Sequence, residues 1–295
     1  MSNRARNLRA ERIAVLGGRG MLGTALAERL RSSGSEVAAH DLPEFDITDL
    51  SQLKSAVSNA SAVVNCAAYT NVDGAEAEPD AAEAVNARAV SDLGRIAQQT
   101  DCYVLHISTD FVFDGKLERP YAEDDEPKPL STYGRTKLAG ERAVQASGCR
   151  CAVVRVQWTY GRGGRNFVTK LLERAASGTE LRMVTDQTGS PTWTRDVSDC
   201  LAELLCTEPV GLFHYAARGY ATRFEVAEFI LRTCGIRTPL QPCRTADFPA
   251  AARRPLNSRF RCDKIDSLLS RPRPVWQESL EEYLREEVLK GEMFL

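Results

Sequence analysis

The sequence predicts an α/β protein, a doubly wound parallel sheet with a smaller mixed C-terminal substrate domain. Three observations predict it. Through the first half, short apolar runs alternate with stretches of helical periodicity, the pattern of strands covered by helices on both faces. Three glycines directly follow the first apolar run and open the first helix. After Trp158 the strand rhythm weakens. In order, residues 13–16 read as a buried strand, and Met21, Leu22, Ala25, Leu26 and Leu30 recur at helical spacing until Gly34 stops the helix. Residues 36–40 form the second strand and 62–66 the third, followed by one long amphipathic helix over 80–99. Residues 103–108 and 152–156 are the fourth and fifth strands, on either side of a helix over 131–146. A glycine-rich turn (Gly161, Gly163, Gly164), a helix from Phe167, a loop with Pro191 and helices over 196–206, 224–234 and 277–290 follow. The expected domains are 12–158 and 159–295, with 197–217 returning to the first through an apolar strand over 211–217.

With 295 residues the chain has the length of about two domains. Its net charge of −2 provides no broad field to hold nucleic acid or an anionic membrane, so neither is an expected partner. No apolar run reaches the ~18 residues of a membrane span. The basic amino terminus, with Arg4, Arg6, Arg9 and Arg12, lacks the apolar centre of a secretory signal and reads as a frayed extension. Nine dispersed cysteines without a CxxC pair fit a reducing, cytoplasmic setting. His106 and His214 sit in apolar strand runs and read as structural. The loop over 117–129, with five carboxylates among three prolines, is expected to be exposed and solvated rather than metal-binding.

Gly17, Gly20 and Gly23 form GxxGxxG between a strand and a helix that begins at Met21 and Leu22. Glycines there allow a pyrophosphate to rest on the unpaired N–H groups at the positive end of the helix. Asp41, ending the next strand, suits both ribose hydroxyls of NAD, whereas Arg19 in the loop suits the 2′-phosphate of NADP, so either cofactor fits. Asp46 and Ile47 either contact the adenine or belong to a turn that caps the following helix. Tyr133 and Lys137 lie one turn apart on a predicted helix, where an ammonium is expected to lower the phenol pKa toward the working range of a general acid. Thr109, in Ser108-Thr109-Asp110 at the end of the fourth strand, offers a hydroxyl where open α/β sheets place ligands.

Together these motifs resemble the Rossmann-type short-chain dehydrogenase/reductase superfamily in its extended form, and most closely the dTDP-4-dehydrorhamnose reductase family. The resemblance also rests on Asn65 to Thr70, the Thr109-Asp110-Phe111-Val112-Phe113 block and the Tyr133 to Glu141 block. Asp186-Gln187 and Arg254-Pro255 extend it toward the carboxyl end. It implies NAD(P)H-dependent reduction of the 4-keto group of a deoxysugar nucleotide, with proton donation by Tyr133, tuning and ribose contact by Lys137, and a carbonyl hydrogen bond from Thr109. It implies cofactor contacts from Ala67, Ala68 and Tyr69, and substrate contacts from Asp110, Phe111, Trp158, Asn166, Gln187 and Arg254. Such relatives include homodimers, and some bind magnesium, for which this sequence assigns no ligands. Others serve as regulatory subunits of methionine adenosyltransferase or act on other nucleotide sugars; the intact Thr109, Tyr133 and Lys137 weigh against the regulatory role. Phe111 stands where many of these reductases carry Tyr, which removes one polar contact to the sugar.

Overall fold

The computed structural model describes residues 11–289 apart from 179 and 249. Residues 1–10, most of the expected frayed extension, and Lys290, the expected end of the last helix, lie outside the described residues. The first half runs Arg12–Leu16 (β1), Met21–Ser32 (α1), Glu36–His40 (β2), Leu50–Ser58 (α2), Ala62–Asn65 (β3), Gly74–Ala77 (α3), Pro79–Glu83 (α4), Ala89–Thr100 (α5), Tyr103–Thr109 (β4), Thr132–Ala146 (α6) and Cys151–Val156 (β5). The second half runs Thr159–Tyr160 (β6), Phe167–Ala176 (α7), Leu181–Val184 (β7), Thr188–Gly189 (β8), Thr192–Trp193 (β9), Thr194–Thr207 (α8), Gly211–Tyr215 (β10), Ala221–Thr222 (β11), Arg223–Thr233 (α9), Leu240–Cys243 (β12), Asp263–Asp266 (α10) and Trp276–Tyr283 (α11). No described helix is long and apolar enough to cross a membrane.

The main sheet has the order β2-β1-β3-β4-β5-β10, and every pairing in it is parallel. β3, β4 and β5 are buried along their whole length, which explains why they read as unbroken apolar runs. Alternate residues feed opposite faces. Ile13, Val15, Val64 and Leu105 pack with Leu26 and Leu30 of α1 and Leu201 of α8, whereas Ala14, Leu16, Val63 and Val104 pack with Leu53 of α2 and Leu93 of α5. A third core joins Leu171, Val226, Ile230, Trp276 and Leu280, drawn from α7, α9 and α11. The strand order reverses between β1 and β3, and the carboxyl ends of those strands are where such sheets open a ligand crevice.

One local expectation is refined and another corrected. The helix expected over 80–99 is present as one uninterrupted helical run over 79–100, in which a π-helical turn over Ala84–Arg88 joins α4 to α5. The wide turn carries Asn86, whose side chain is buried and bonded elsewhere, and apolar periodicity carries no signal for it. The acidic loop over 117–129 is not simply solvated: Tyr121 and Ala122 are buried, Asp125 holds Arg119 and the Ala122 N–H, and Glu123 accepts from the His214 N–H. Asp125 closes the loop on itself, and Glu123 ends a bond to a strand 91 residues away that composition does not reveal.

Within the sheet, Arg155 of β5 and Glu141 of α6 form a bidentate pair at 2.9 and 2.6 Å, with both side chains 2% exposed. Arg155 also lies 3.3 Å from His214 Nε2, and burial together with that guanidinium pushes the His214 imidazole down to about 3. His214 is therefore neutral and structural. Removing one partner strands the other charge inside the protein, so Glu141→Ala is expected to cost about 3–5 kcal/mol in urea unfolding. The double variant Glu141→Met/Arg155→Met should be nearer the wild type than Glu141→Ala is; equal or greater loss in the double would show that the pair itself stabilises the fold.

Candidate active site

The glycine turn sits at the sheet's switch point and is shaped by close packing. Gly17 has φ +76°, and a Cβ there would meet the Ala67 backbone N at 2.6 Å; a Cβ on Gly23 would run into the Gly17 carbonyl. Gly17 and Gly18 donate to the His40 carbonyl at 2.9 and 3.0 Å, which ties the turn to β2. Gly20 is the N-cap of α1 and no side chain caps it, so the turn at Met21, Leu22 and Gly23 keeps its N–H donors for an anion. These residues fit a dinucleotide pyrophosphate.

Beside the turn lies a cavity of about 610 Å³ lined by Arg19, Ala39, His40, Asp41, Phe45 and Gln52 among others. Asp41 accepts from the Arg19 N–H and the Leu42 N–H, each at 2.8 Å, one on each carboxylate oxygen. The Arg19 guanidinium donates to the Leu42 carbonyl and pairs with Glu44 at 2.7 Å, both partners well exposed. Asp46 accepts from Thr48, Asp49 caps α2 and Ile47 is buried. Ala67 is held by the buried Asn65 side chain, and Tyr69 by Asn86.

Thr109, Tyr133 and Lys137 converge. The Tyr133 hydroxyl lies beside the Thr109 side chain, and Lys137 donates to the Ile107 carbonyl of β4 at 2.7 Å. Ser131 caps α6, Glu76 holds both the N–H and hydroxyl of Thr132, and glycines at 134 and 140 let α6 close onto the Phe111 and Asn86 carbonyls. The expectation that Lys137 lowers the phenol pKa is corrected. Burial pushes Tyr133 up to about 12, Thr109 works against this, and Asp110 adds to it. The ammonium is turned to the strand carbonyl, and burial pushes Lys137 itself down to about 8 while Glu141 and Cys66 work the other way. Asp110 is buried, which raises its pKa; its carboxylate lies 3.2 Å from Thr109 Oγ1 and accepts from Ser258 at 2.5 Å.

A second cavity, about 1230 Å³, opens from this point toward the C-terminal half. Asp110, Phe111, Trp158, Asn166, Gln187 and Arg254 all line it. Phe111 meets Tyr133 edge-on with 5.5 Å between centroids. The Asn166 side chain caps α7 and reaches the Gly161 carbonyl, Gln187 donates to Thr245, and Arg254 is clamped on Asp73 at 2.6 Å. One face of Trp158 is covered by the Arg223 guanidinium, 3.5 Å from the ring centroid. Asn86, Glu76 and Arg223 were not singled out from the sequence, because each acts across 50 or more residues and carries no local pattern. Among the described residues, no group of three or more His, Cys, Asp or Glu side chains is gathered to hold a metal ion.

A parallel sheet with an anion-binding glycine turn at its switch point, and a hydroxyl, a phenol and an amine gathered beside a large cleft, defines a nicotinamide-dinucleotide-dependent oxidoreductase. Residues 11–289 match the family described as the RmlD substrate binding domain. A dTDP-4-dehydrorhamnose reductase from Mycolicibacterium smegmatis is 38% identical over 279 residues, 92% of this chain and 85% of that protein. The solved structure of a Clostridium acetobutylicum dTDP-4-dehydrorhamnose reductase superposes with a TM-score of 0.89 at 34% identity, covering 93% of this chain and 98% of that one. The Bacillus anthracis dTDP-4-dehydrorhamnose reductase, solved in complex with NADP, superposes with a TM-score of 0.90 at 33% identity, covering 94% and 99%. The chain belongs to the dTDP-4-dehydrorhamnose reductase family.

With Lys137 at about 8, its ammonium is present below that pH and lost above it. If that charge serves the reaction, kcat/KM, which reports the free enzyme, should fall as pH rises through about 8. In Lys137→Arg, whose guanidinium stays charged, the remaining activity should lack that limb. A flat profile to pH 9.5 in the wild type would remove the charge requirement.

Proposed function

We propose that this protein reduces the 4-keto group of a thymidine-diphosphate-linked deoxyhexose, dTDP-4-dehydrorhamnose to dTDP-rhamnose, with NADPH preferred and NADH accepted. The observation that carries this is the approach of Tyr133 to Thr109, with Lys137 seated on the Ile107 carbonyl, directly beside Asp110 and Phe111, which line the 1230 Å³ cleft. When bound, the nicotinamide supplies the hydride. Tyr133 supplies the proton: burial keeps its hydroxyl protonated at neutral pH, which suits an acid that gives its proton only as charge builds on the sugar oxygen. Lys137, fixed on Ile107, keeps a positive charge one helical turn from the phenolate that forms. Thr109 accepts from the Phe111 N–H and has one proton of its own, shared between Asp110 and the sugar oxygen. Phe111 and Trp158 give the sugar apolar walls.

For the cofactor, both Asp41 oxygens already hold loop N–H groups, whereas Arg19 is engaged only by a carbonyl and an exposed ion pair. Such a pair is worth about 0–1 kcal/mol, so the guanidinium is readily drawn to a 2′-phosphate. Arg19→Ala is expected to raise KM for NADPH about tenfold and leave KM for NADH within about twofold, the loss of one charge-assisted contact. An equal change for both would assign Arg19 to the shared part of the cofactor.

The central test presents dTDP-, UDP- and GDP-linked 4-ketosugars with NADPH and follows the loss of reduced-nicotinamide absorbance. The dTDP sugar should be consumed fastest. Tyr133→Phe should lower kcat by about 10²–10⁴ with NADPH affinity unchanged. Absence of consumption with every 4-ketosugar would overturn the assignment.

A further inference from the structure

The cleft carries several cations, but they are not equivalent. Lys170, Arg174, Arg182 and Arg253 are exposed, and Arg182 stacks on Phe248. Arg254 spends its guanidinium on Asp73, at 2.6 and 3.3 Å, and on the Ala252 carbonyl at 3.0 Å. Arg223, the first residue of α9, differs from all of these. Its guanidinium lies 3.5 Å from the Trp158 ring centroid and 4.8 Å from that of Phe167. Among the described residues its guanidinium makes no hydrogen bond and no ion pair, while its backbone N–H donates to the Gln187 carbonyl; Asp110 and Arg254 act on the guanidinium only through space.

The stack fixes the plane of the guanidinium and covers its flat face, where no hydrogen bond forms. Its N–H donors all lie in that plane, a fork matched to two oxygens of one phosphoryl or carboxylate group. Trp158 is itself held for this role. It has φ +46°, and Gly189 lies so close that a Cβ there would meet the indole at 2.6 Å. Arg223 is half-buried at the cleft wall, and the burial it has pushes its pKa down to about 9, with Asp110 opposing and Arg254 adding to the fall, so its N–H edge is left without a protein partner. Asp110 does not cancel it, because that carboxylate is already taken up by Ser258 and Thr109 and its own burial favours the neutral form.

We propose that Arg223 is a specificity-determining residue of the substrate cleft, its in-plane N–H edge holding the sugar-side phosphoryl of a nucleoside diphosphate sugar. The inference rests on the nucleotide-sugar reading above. It assigns the phosphoryl rather than the base because Arg223 faces Asp110, the neighbour of Thr109, which leaves only the hexose between this cation and the reacting carbon. The Trp158 face under Arg223 is then closed to sugar stacking, and the hexose is met by the ring's remaining surface.

The test is binding of dTDP, dTMP, UDP, GDP and ADP to the wild type and to Arg223→Gln by titration calorimetry. For each nucleoside diphosphate that the wild type binds, Arg223→Gln should weaken affinity about 10- to 100-fold, the cost of losing a bidentate charge-assisted contact. dTMP, which lacks the sugar-side phosphoryl, should bind both proteins within about threefold. Arg223→Lys keeps the charge without the planar fork and should fall between them. Unchanged NADPH affinity would show that the variants are folded. Unchanged dTDP affinity in Arg223→Gln, equal losses for dTDP and dTMP, or a wild type that binds no nucleoside diphosphate would each overturn the proposal. A wild type that binds nucleoside diphosphates through Arg223 yet reduces no 4-ketosugar would uphold it and sink the catalytic assignment instead.

Discussion

The molecule depends on how α6 is seated against the ends of β4 and β5. Two polar contacts do this inside a largely apolar environment, Lys137 on the Ile107 carbonyl and Glu141 on Arg155, and a third, Asn86 on Thr136, ties the helix to the π-helical turn beside it. Each buries a polar or charged group that is stable only in one register of helix on sheet, because a shift of one residue leaves it without a partner. Glycines at 134 and 140 bring the helix close enough for these contacts to form. The phenol and the amine are therefore placed by packing, and the strand end that carries Thr109 comes with them.

That seating also sets the electrostatics. The same burial raises the Tyr133 pKa and lowers that of Lys137, moving both toward their neutral forms. A helix surface in water would do the opposite, with a solvated ammonium free to stabilise a phenolate. Asp110 follows the same rule, and the result is a reaction end of low net charge opening into a cleft whose outer wall is basic. Neutral donors suit a carbonyl that gains charge only as it reacts, while fixed cations suit a group that is charged throughout. The division of labour between the two ends of the cleft follows from depth of burial.

The reading of the chain by pattern succeeds where the signal is local. The strands at 13–16, 103–108 and 152–156 were legible because strands buried on both faces are continuous apolar runs, and the glycine turn because strand, turn and helix stand side by side in sequence. The short ladders β8 with β11 and β7 with β12 were not legible, since two- to four-residue strands have no period to detect. The π-helical turn at 84–88 was missed for the same reason, as was the tethered acidic loop, whose partners lie far along the chain.

By itself the sequence determined the class of sheet and the place of the glycine turn, which are written in neighbours no more than one helical turn or one strand apart, and its motifs taken together singled out Thr109, Tyr133 and Lys137 as candidates. Tertiary structure alone decided that Lys137 faces a strand carbonyl, that Arg254 is consumed by Asp73, and that Arg223 is left open over Trp158. Whether a charge is spent or available depends on which groups, 30 to 181 residues away, fold against it. No local pattern encodes that, since desolvation and pairing are properties of the packed state.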